Sequence, residues 1–224
     1  MTFPAAVCFD LPCLVRLPEP VPAEALARAL RRLGLESTGP TYDACLATVP
    51  SWPGDAARSA LTAVLGSEIW GDAAAAAYDD AFGGVVSRHG AAFLPDAREL
   101  LGRLWLEGLC VGLTTEFSAS TREVVLDVLG WDGTALVVSD EVTGMVPRTG
   151  LELAAGRLGV AIAAIDVVSG TPSAVHRAVV AGATAIGLTT QGHTAPELRA
   201  AGAVDVVQLH DLAGAFGTPH LLSL

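Results

Sequence analysis

The chain has 224 residues, of which 51% are hydrophobic and 17% charged. This composition excludes a disordered or fibrous protein and suits one α/β domain, with room for a modest insertion. Acidic residues outnumber basic ones by 24 to 13, which gives a formal net charge of −11 and argues against a nucleic-acid binder that tracks phosphates with Lys and Arg. All 13 basic residues are Arg, so no reaction that needs a lysine amine can run on this chain alone.

Targeting and metal-binding signals are missing from the sequence. The first basic residue is Arg16, and no charged segment precedes an apolar core, so we expect no secretory signal. No stretch reaches the roughly 18 apolar residues that a membrane span needs. The four cysteines form no CxxC pair, which argues against a zinc knuckle or redox motif. We therefore expect a cytoplasmic protein without membrane or nucleic-acid partners.

Short apolar runs alternate with helical patterns along most of the chain. Each run has four to six residues and is bounded by turn-forming residues, which is typical of strands buried on both faces. The alternation predicts an α/β fold with a parallel sheet and right-handed crossovers. The six runs are Ala6–Phe9, Leu109–Leu113, Ala135–Val138, Ala164–Val168, Ala183–Leu188 and Val204–Val207.

A long helical segment interrupts this alternation after the first strand. About 85 residues separate Phe9 from the next helix of the regular pattern, which opens at Pro95 and carries Leu100, Leu104 and Trp105 on one face. That distance is too long for a simple crossover. We predict an inserted helical cap over residues 19–89, and an α/β core built from residues 1–18 and 90–224.

Polar side chains follow the predicted strands at the point where each one ends. In open parallel sheets, ligands bind beyond the carboxyl ends of the strands, so these residues predict a pocket for a small molecule or a protein partner. The residues that follow the first five runs are Asp10; Thr114, Thr115 and Glu116; Ser139, Asp140 and Glu141; Ser169, Gly170 and Thr171; and Thr189 and Thr190.

An ordered series of motifs resembles the haloacid dehalogenase-like (HAD) superfamily, in particular the branch near phosphonoacetaldehyde hydrolase. The resemblance covers residues 5–16 and 91–213 and implies a Rossmann-like core with a helical cap. It also implies a nucleophilic role for Asp10. From their places at the strand ends, Thr114 is a candidate hydroxyl donor in catalysis, and Thr115, Glu116, Ser169 and Thr171 are candidate substrate-binding residues. The matching stretches are VCFD (7–10), VGLTTEFSASTREVVLDVLGW (111–131), VVSDEV (137–142) and VVSGTPSAVHRAVVAGATAIGLTTQGHTAPELRAAGA (167–203).

The sequence departs from the family pattern at the positions that carry phosphoryl chemistry. The general acid two residues after the nucleophile is replaced by Pro12, which has no titratable group. Met145 stands at the family's Lys or Arg position, and Arg148 is the candidate replacement cation. Gly170 and Ala174 stand where the family has two acidic residues for magnesium. Because Mg²⁺ usually takes one or two carboxylates together with substrate phosphate, we expect no metal and no cofactor.

These departures argue against Mg²⁺-dependent phosphate hydrolysis and, separately, against the phosphonatase reaction. Without a compensating cation, Asp10 and a phosphoryl dianion about 4 Å apart would repel by roughly 4 kcal/mol at an effective dielectric constant of 20. The phosphonatase reaction uses a cap lysine to form an imine with its aldehyde substrate, and this chain has no lysine.

Two functional hypotheses remain. The first, which we favour, is a pseudo-enzyme that binds a small molecule or a protein partner. The alternative is a metal-independent hydrolase in which Asp10 attacks a carbon-centred substrate, as in a dehalogenase, or a weak phosphatase with unexpected metal ligands. The Ala-rich cap helices leave a homodimer open. For Cys13, packing is favoured over a thiol nucleophile. For Trp52 and Trp70, packing is favoured over a role in the wall of a ligand cleft.

Overall fold

The computed structural model describes residues 4–212 except Asp132, Thr134, Asp140, Gly144, Met145 and Gln191, and for residues 141–143, 146 and 147 it describes the backbone only. The chain divides into two compact units. The first comprises Met1–Val15, Phe93–Thr115 and Asp132–Leu224, and the second comprises Arg16–Ala92 and Glu116–Trp131. The predicted core and cap differ from these units chiefly in residues 116–131, which were assigned to the core. That the cap is a separate insertion stays a prediction.

The described residues form ten strands and nine α-helices. The strands are β1 (Ala6–Asp10), β2 (Val15–Arg16), β3 (Ala92–Phe93), β4 (Cys110–Thr115), β5 (Leu136–Ser139), β6 (Glu141–Thr143), β7 (Val146–Arg148), β8 (Ile165–Ser169), β9 (Thr184–Leu188) and β10 (Asp205–Val207). The helices are α1 (Pro20–Arg32), α2 (Pro40–Thr48), α3 (Asp55–Leu65), α4 (Glu68–His89), α5 (Ala97–Leu106), α6 (Ala119–Val128), α7 (Gly150–Leu158), α8 (Pro172–Val180) and α9 (Ala195–Ala200).

A six-stranded parallel sheet forms the centre of the first unit. Its strand order is β10-β9-β8-β1-β4-β5, so β1 lies between β8 and β4. All six predicted strands are confirmed to within two residues at each end, because strands buried on both faces appear in the sequence as continuous apolar runs. The hairpin of β6 and β7 was not predicted, since strands of three residues are too short for a period to show.

Helices cover the sheet on the face to which Ala6 and Cys8 of β1 point. These two residues belong to a buried cluster that draws on α7, α8 and α9 as well as on the strands. Val7 and Phe9 alternate with them, point to the other face and are fully buried too. The sheet is therefore apolar on both sides, and its polar side chains gather at its ends.

The second unit consists of α1–α4 and α6. Within it, α1, α3 and α6 each pack against the 22-residue α4. Ser67 begins α4 by accepting a hydrogen bond from the Trp70 backbone N–H. Within the predicted cap, the sequence indicates helices after Pro22, over Ala56–Leu65 and over Ile69–Val86, and these correspond to α1, α3 and α4. It does not indicate α2, which buries a single residue, Cys45, and so shows no apolar stripe. None of the described helices combines the length and apolarity that crossing a membrane requires.

Candidate functional site

Four of the predicted site residues lie together at the carboxyl edge of the sheet in the first unit. We call Asp10, Thr114, Ser169 and Thr171 the strand-end cluster. Asp10 ends β1 and lies opposite Thr114 in the register of β1 and β4. Ser169 ends β8, the neighbour of β1 on the other side, and Thr171 begins α8 as its N-cap. The sequence interpretation therefore placed these residues at the correct edge.

Asp10 and Ser169 are joined by a hydrogen bond. The Ser169 hydroxyl donates to Oδ2 of Asp10 at 3.1 Å and accepts the backbone N–H of Thr171 at 3.3 Å. Ser169 is fully buried, whereas Asp10 is half-buried. The serine therefore orients the carboxylate from inside the fold, and Asp10 is the member of this pair that solvent reaches.

The threonines of the same edge direct their hydroxyls to the protein backbone. Thr114 donates to the carbonyl oxygen of Phe9 at 3.4 Å, and Thr190 donates to that of Cys13 at 2.9 Å. The Thr171 hydroxyl accepts the Ala174 N–H at 3.4 Å and so caps α8. Each of these hydroxyls has a structural partner that the sequence pattern did not indicate.

A single turn of 3₁₀ helix, Leu11–Leu14, follows β1, and all four of its side chains are buried. The Cys13 thiol donates to the carbonyl oxygen of Val168 at 3.7 Å. Burial and the nearby negative charge of Asp10 raise the pKa of the Cys13 thiol well above its usual range. Since the thiolate is the reactive form, Cys13 is a packing residue here, as predicted.

Glu116 belongs to the second unit and is bonded to another residue of that unit. Its Oε2 accepts the backbone N–H of Asp55 at 2.6 Å, and Asp55 is the first residue of α3. A carboxylate at this position compensates the unpaired N–H groups and the positive end of the helix dipole. The structure therefore gives Glu116 a capping role that the sequence interpretation missed.

Arg148, the candidate replacement cation, lies along α7. One guanidinium nitrogen is 3.4 Å from the position that a Cβ on Gly156 would occupy. Gly156 is six residues into α7, about 9 Å along the helix from its first residue. The use of Arg148 as a counter-charge to Asp10 stays a prediction. Met145 and Asp140 lie outside the described residues, as does the side chain of Glu141.

The tryptophans differ in how they pack. In the second unit, the Trp52 ring lies 5.5 Å from that of Phe82 and 5.7 Å from that of Phe117, measured between ring centroids. This favours the packing role predicted for Trp52. The packing predicted for Trp70 is wrong, because this side chain is 47% exposed. The packing predicted for Trp105 on one face of α5 is wrong too, because Trp105 is 56% exposed. It is the penultimate residue of the helix, at the edge of the stripe that Leu100 and Leu104 bury.

The donor set that the structure describes is poor for a divalent cation. Among the residues with described side chains, no group of three or more His, Cys, Asp or Glu is arranged to hold a metal ion. At the strand-end cluster the carboxylate is Asp10, and one of its oxygens already accepts the Ser169 hydroxyl. Mg²⁺ requires near-octahedral oxygen coordination, usually with one or two carboxylates and a substrate phosphate. The described residues do not fit it.

Comparison with known proteins identifies the fold. No protein-family model and no curated protein matches the sequence, but solved structures do. A predicted phosphatase from Clostridium acetobutylicum matches with a TM-score of 0.75 at 16% identity, covering 95% of this chain and 97% of that one. A hydrolase from Pseudomonas syringae matches with a TM-score of 0.69 at 21% identity, covering 91% and 93%.

A haloacid dehalogenase-like family hydrolase from Streptococcus pneumoniae matches with a TM-score of 0.66 at 16% identity, covering 92% of this chain and 94% of that one. The chain has the HAD-type fold. The predicted α/β class with a Rossmann-like parallel sheet is confirmed. At these identities the likeness extends to the fold and not to the chemistry, so the activity has to be argued from the site.

Proposed function

We propose that this protein is a HAD superfamily pseudo-enzyme, which keeps the fold but has lost phosphoryl transfer. It would bind a small molecule or a protein partner at the strand-end cluster. The observation that carries the proposal is the hydrogen bond from buried Ser169 to Asp10. It ties the carboxylate at the family's nucleophile position to a neutral hydroxyl, at the edge of the sheet where phosphatases of this family bind a cation.

The sequence changes at the family's other catalytic positions support this proposal. Pro12 cannot protonate a leaving group, and its side chain is buried. Gly170 and Ala174 bring no ligand side chains where the family has acids for magnesium. A phosphoryl dianion at Asp10 would therefore meet a negative charge without the metal that normally separates the two.

The burial of the site residues indicates which of them a ligand could touch. Ser169, Thr115 and Ser139 are at most 2% exposed. Asp10, Thr114 and Thr171 are half-buried, so part of each faces outwards. Of the side chains in the strand-end cluster that the structure describes, a ligand would accordingly meet the carboxylate of Asp10, the two threonines and backbone groups. No lysine is present to pair with an anionic ligand.

A second candidate function rests on the partial exposure of Asp10. A carboxylate held at one oxygen by Ser169 is oriented, and an oriented carboxylate can attack carbon. In a dehalogenase-like reaction the Asp10 oxygen would bond to the substrate carbon while halide leaves with the bonding electrons, and water would then hydrolyse the resulting ester. This route needs no metal.

The two candidates differ in the effect of Asp10→Asn. We would incubate the purified full chain with short 2-haloacids, p-nitrophenyl esters and phosphate monoesters, with and without Mg²⁺. A pseudo-enzyme gives the same background rate in the wild type and in Asp10→Asn for every substrate. Turnover that Asp10→Asn abolishes, while the melting temperature stays nearly unchanged, would contradict the proposal and establish the hydrolase.

A further inference from the structure

Two carboxylates in the second unit cap helices that are distant from them in the chain. Glu116, three residues before the first residue of α6, accepts the N–H of Asp55 at the start of α3. Asp79, in the middle of α4, accepts the N–H of Ser118 at 3.3 Å through Oδ1 and the Thr121 hydroxyl at 3.2 Å through Oδ2. Both Asp79 contacts lie at the start of α6. We call the contacts of Glu116 and those of Asp79, taken together, the cross-cap.

The backbone at the start of α3 approaches the Glu116 side chain so closely that only glycine fits at position 54. Gly54, the N-cap of α3, has φ +142°, a conformation that L-residues rarely adopt. A Cβ at Gly54 would overlap the Glu116 carboxylate. The loop before it is fixed as well, because the Tyr78 hydroxyl contacts the carbonyl oxygens of Pro50 and Ser51 at 3.2 and 3.1 Å.

Apolar packing joins the same segments between the two caps. Phe117 is 1% exposed and lies 5.8 Å from Phe82 of α4 between ring centroids, with Trp52 against both rings. Thr121 of α6 is 3% exposed and also donates to the carbonyl oxygen of Asp79 at 3.0 Å. Polar caps and a buried aromatic cluster therefore hold the start of α6 to helices that precede it by 30 residues or more in the chain.

We propose that the cross-cap is a latch that makes residues 116–131 one cooperative body with α1–α4. A ligand or partner that displaces α1–α4 then displaces residues 116–131 with them. The latch goes beyond the proposed function, because it holds whether or not the protein has turnover.

Amide hydrogen exchange on the full chain tests the latch with two core truncations of the same kind. Leu30→Ala removes a fully buried side chain from α1, which packs against α4, and Ile165→Ala removes one from β8. The latch predicts that Leu30→Ala speeds exchange in α4 and α6 by the same factor, at least about thirtyfold, and leaves the sheet unchanged. Ile165→Ala should speed exchange in β1 and β8 and leave α6 unchanged.

Two variants of α4 then test the carboxylate itself. Asp79→Ala should speed exchange in α6 while α4 keeps its protection. The matched control is Asp80→Ala. It removes the neighbouring carboxylate, which pairs with Arg32 at 2.8 Å, and it should leave the exchange rates in α6 unchanged. The latch is overturned if α6 keeps its protection in Leu30→Ala, if it follows Ile165→Ala, or if Leu30→Ala speeds exchange in the sheet and the helices alike. It is overturned too if the two aspartate variants have equal effects on α6.

Discussion

At the scale of single residues, the hydroxyl of Ser169 is the feature that decides how Asp10 is presented. It is fully buried and bonded to a carboxylate that is only half-buried. Hydrogen bonds to charged groups contribute about 1.5–3 kcal/mol to the free energy of unfolding, and water can replace the bond from the exposed side of Asp10. The net contribution should therefore lie near the lower end of that range.

Ser169→Ala should lower the free energy of unfolding by about 1–2 kcal/mol, measured by urea denaturation. The matched control is Ser173→Ala, since Ser173 is exposed on the first turn of α8; its effect should stay within about 0.5 kcal/mol. Equal effects of the two substitutions would show that the Ser169–Asp10 bond does not hold the strand-end cluster together.

Asp79 should make the stability of the protein depend on pH. Burial raises the pKa of this carboxyl, although hydrogen bonds from Ser118 and Thr121 partly oppose the shift. An acid with a raised pKa binds its proton more tightly in the folded state than in the unfolded state. Its effect on stability is therefore most favourable at pH values below the ordinary pKa of 3.8, and it becomes unfavourable as pH rises through the raised pKa.

Asp79→Asn removes this titration and keeps an acceptor for the Ser118 N–H. Relative to the wild type, the variant should gain stability as pH rises from about 3.5 to 7, seen as a growing difference in urea midpoint. Taking the difference cancels the other titrating groups, which both proteins share. Two midpoint curves that run parallel over this range would contradict the burial argument for Asp79.

At the scale of elements, two glycines of α4 stand in opposite surroundings. Gly71 is buried against α3, where a Cβ would overlap both the side chain and the backbone of Thr62. Gly84 is exposed, with nothing within 4 Å of the position of a Cβ. Ala is favoured over Gly inside a helix by about 1 kcal/mol, but forcing atoms into a close contact costs about 1–3 kcal/mol.

Gly84→Ala should therefore raise the free energy of unfolding by about 0.5–1 kcal/mol. Gly71→Ala should lower it by up to about 2 kcal/mol, because α3 and α4 must separate to admit the methyl group. Urea denaturation of the two variants measures both effects. If Gly71→Ala is as stable as Gly84→Ala, the close approach of the two helices does not hold in solution.

The elements also show what the sequence could and could not predict. The six sheet strands were predictable because burial on both faces leaves a continuous apolar run. The helix α2 was not, because it buries a single residue and so shows no apolar stripe. The hairpin of β6 and β7 was not, because strands of three residues are too short to show a period. The grouping of residues 116–131 with α4 depends on side-chain contacts such as Asp79 with Thr121, 42 residues apart, and no local pattern encodes those.

For the candidate site, the position of the residues in the fold was predictable, but their hydrogen-bond partners were not. Polar residues after apolar runs correctly placed Asp10, Thr114 and Ser169 at one edge of the sheet, since parallel strands end together. The partner of each hydroxyl was not predictable. Thr190 bonds to the backbone of Cys13 across 177 residues, and Glu116 caps a helix of the second unit.

At the scale of the whole molecule, the chain combines a HAD-type fold with a net charge of −11 and no lysine. A phosphoryl dianion approaching such a molecule is repelled by the overall field as well as by Asp10. The same charge should keep the protein soluble. A homodimer through the Ala-rich helices of the second unit and a cytoplasmic location both stay predictions.

The central claim is that the strand ends no longer support metal-assisted attack on a phosphate ester. The most direct test is the initial rate of p-nitrophenyl phosphate hydrolysis by the purified full chain, with Mg²⁺ and with EDTA, beside Asp10→Asn to reveal any contaminating phosphatase. We predict the same background rate in all these conditions. A Mg²⁺-dependent rate in the wild type that disappears in Asp10→Asn would contradict the account.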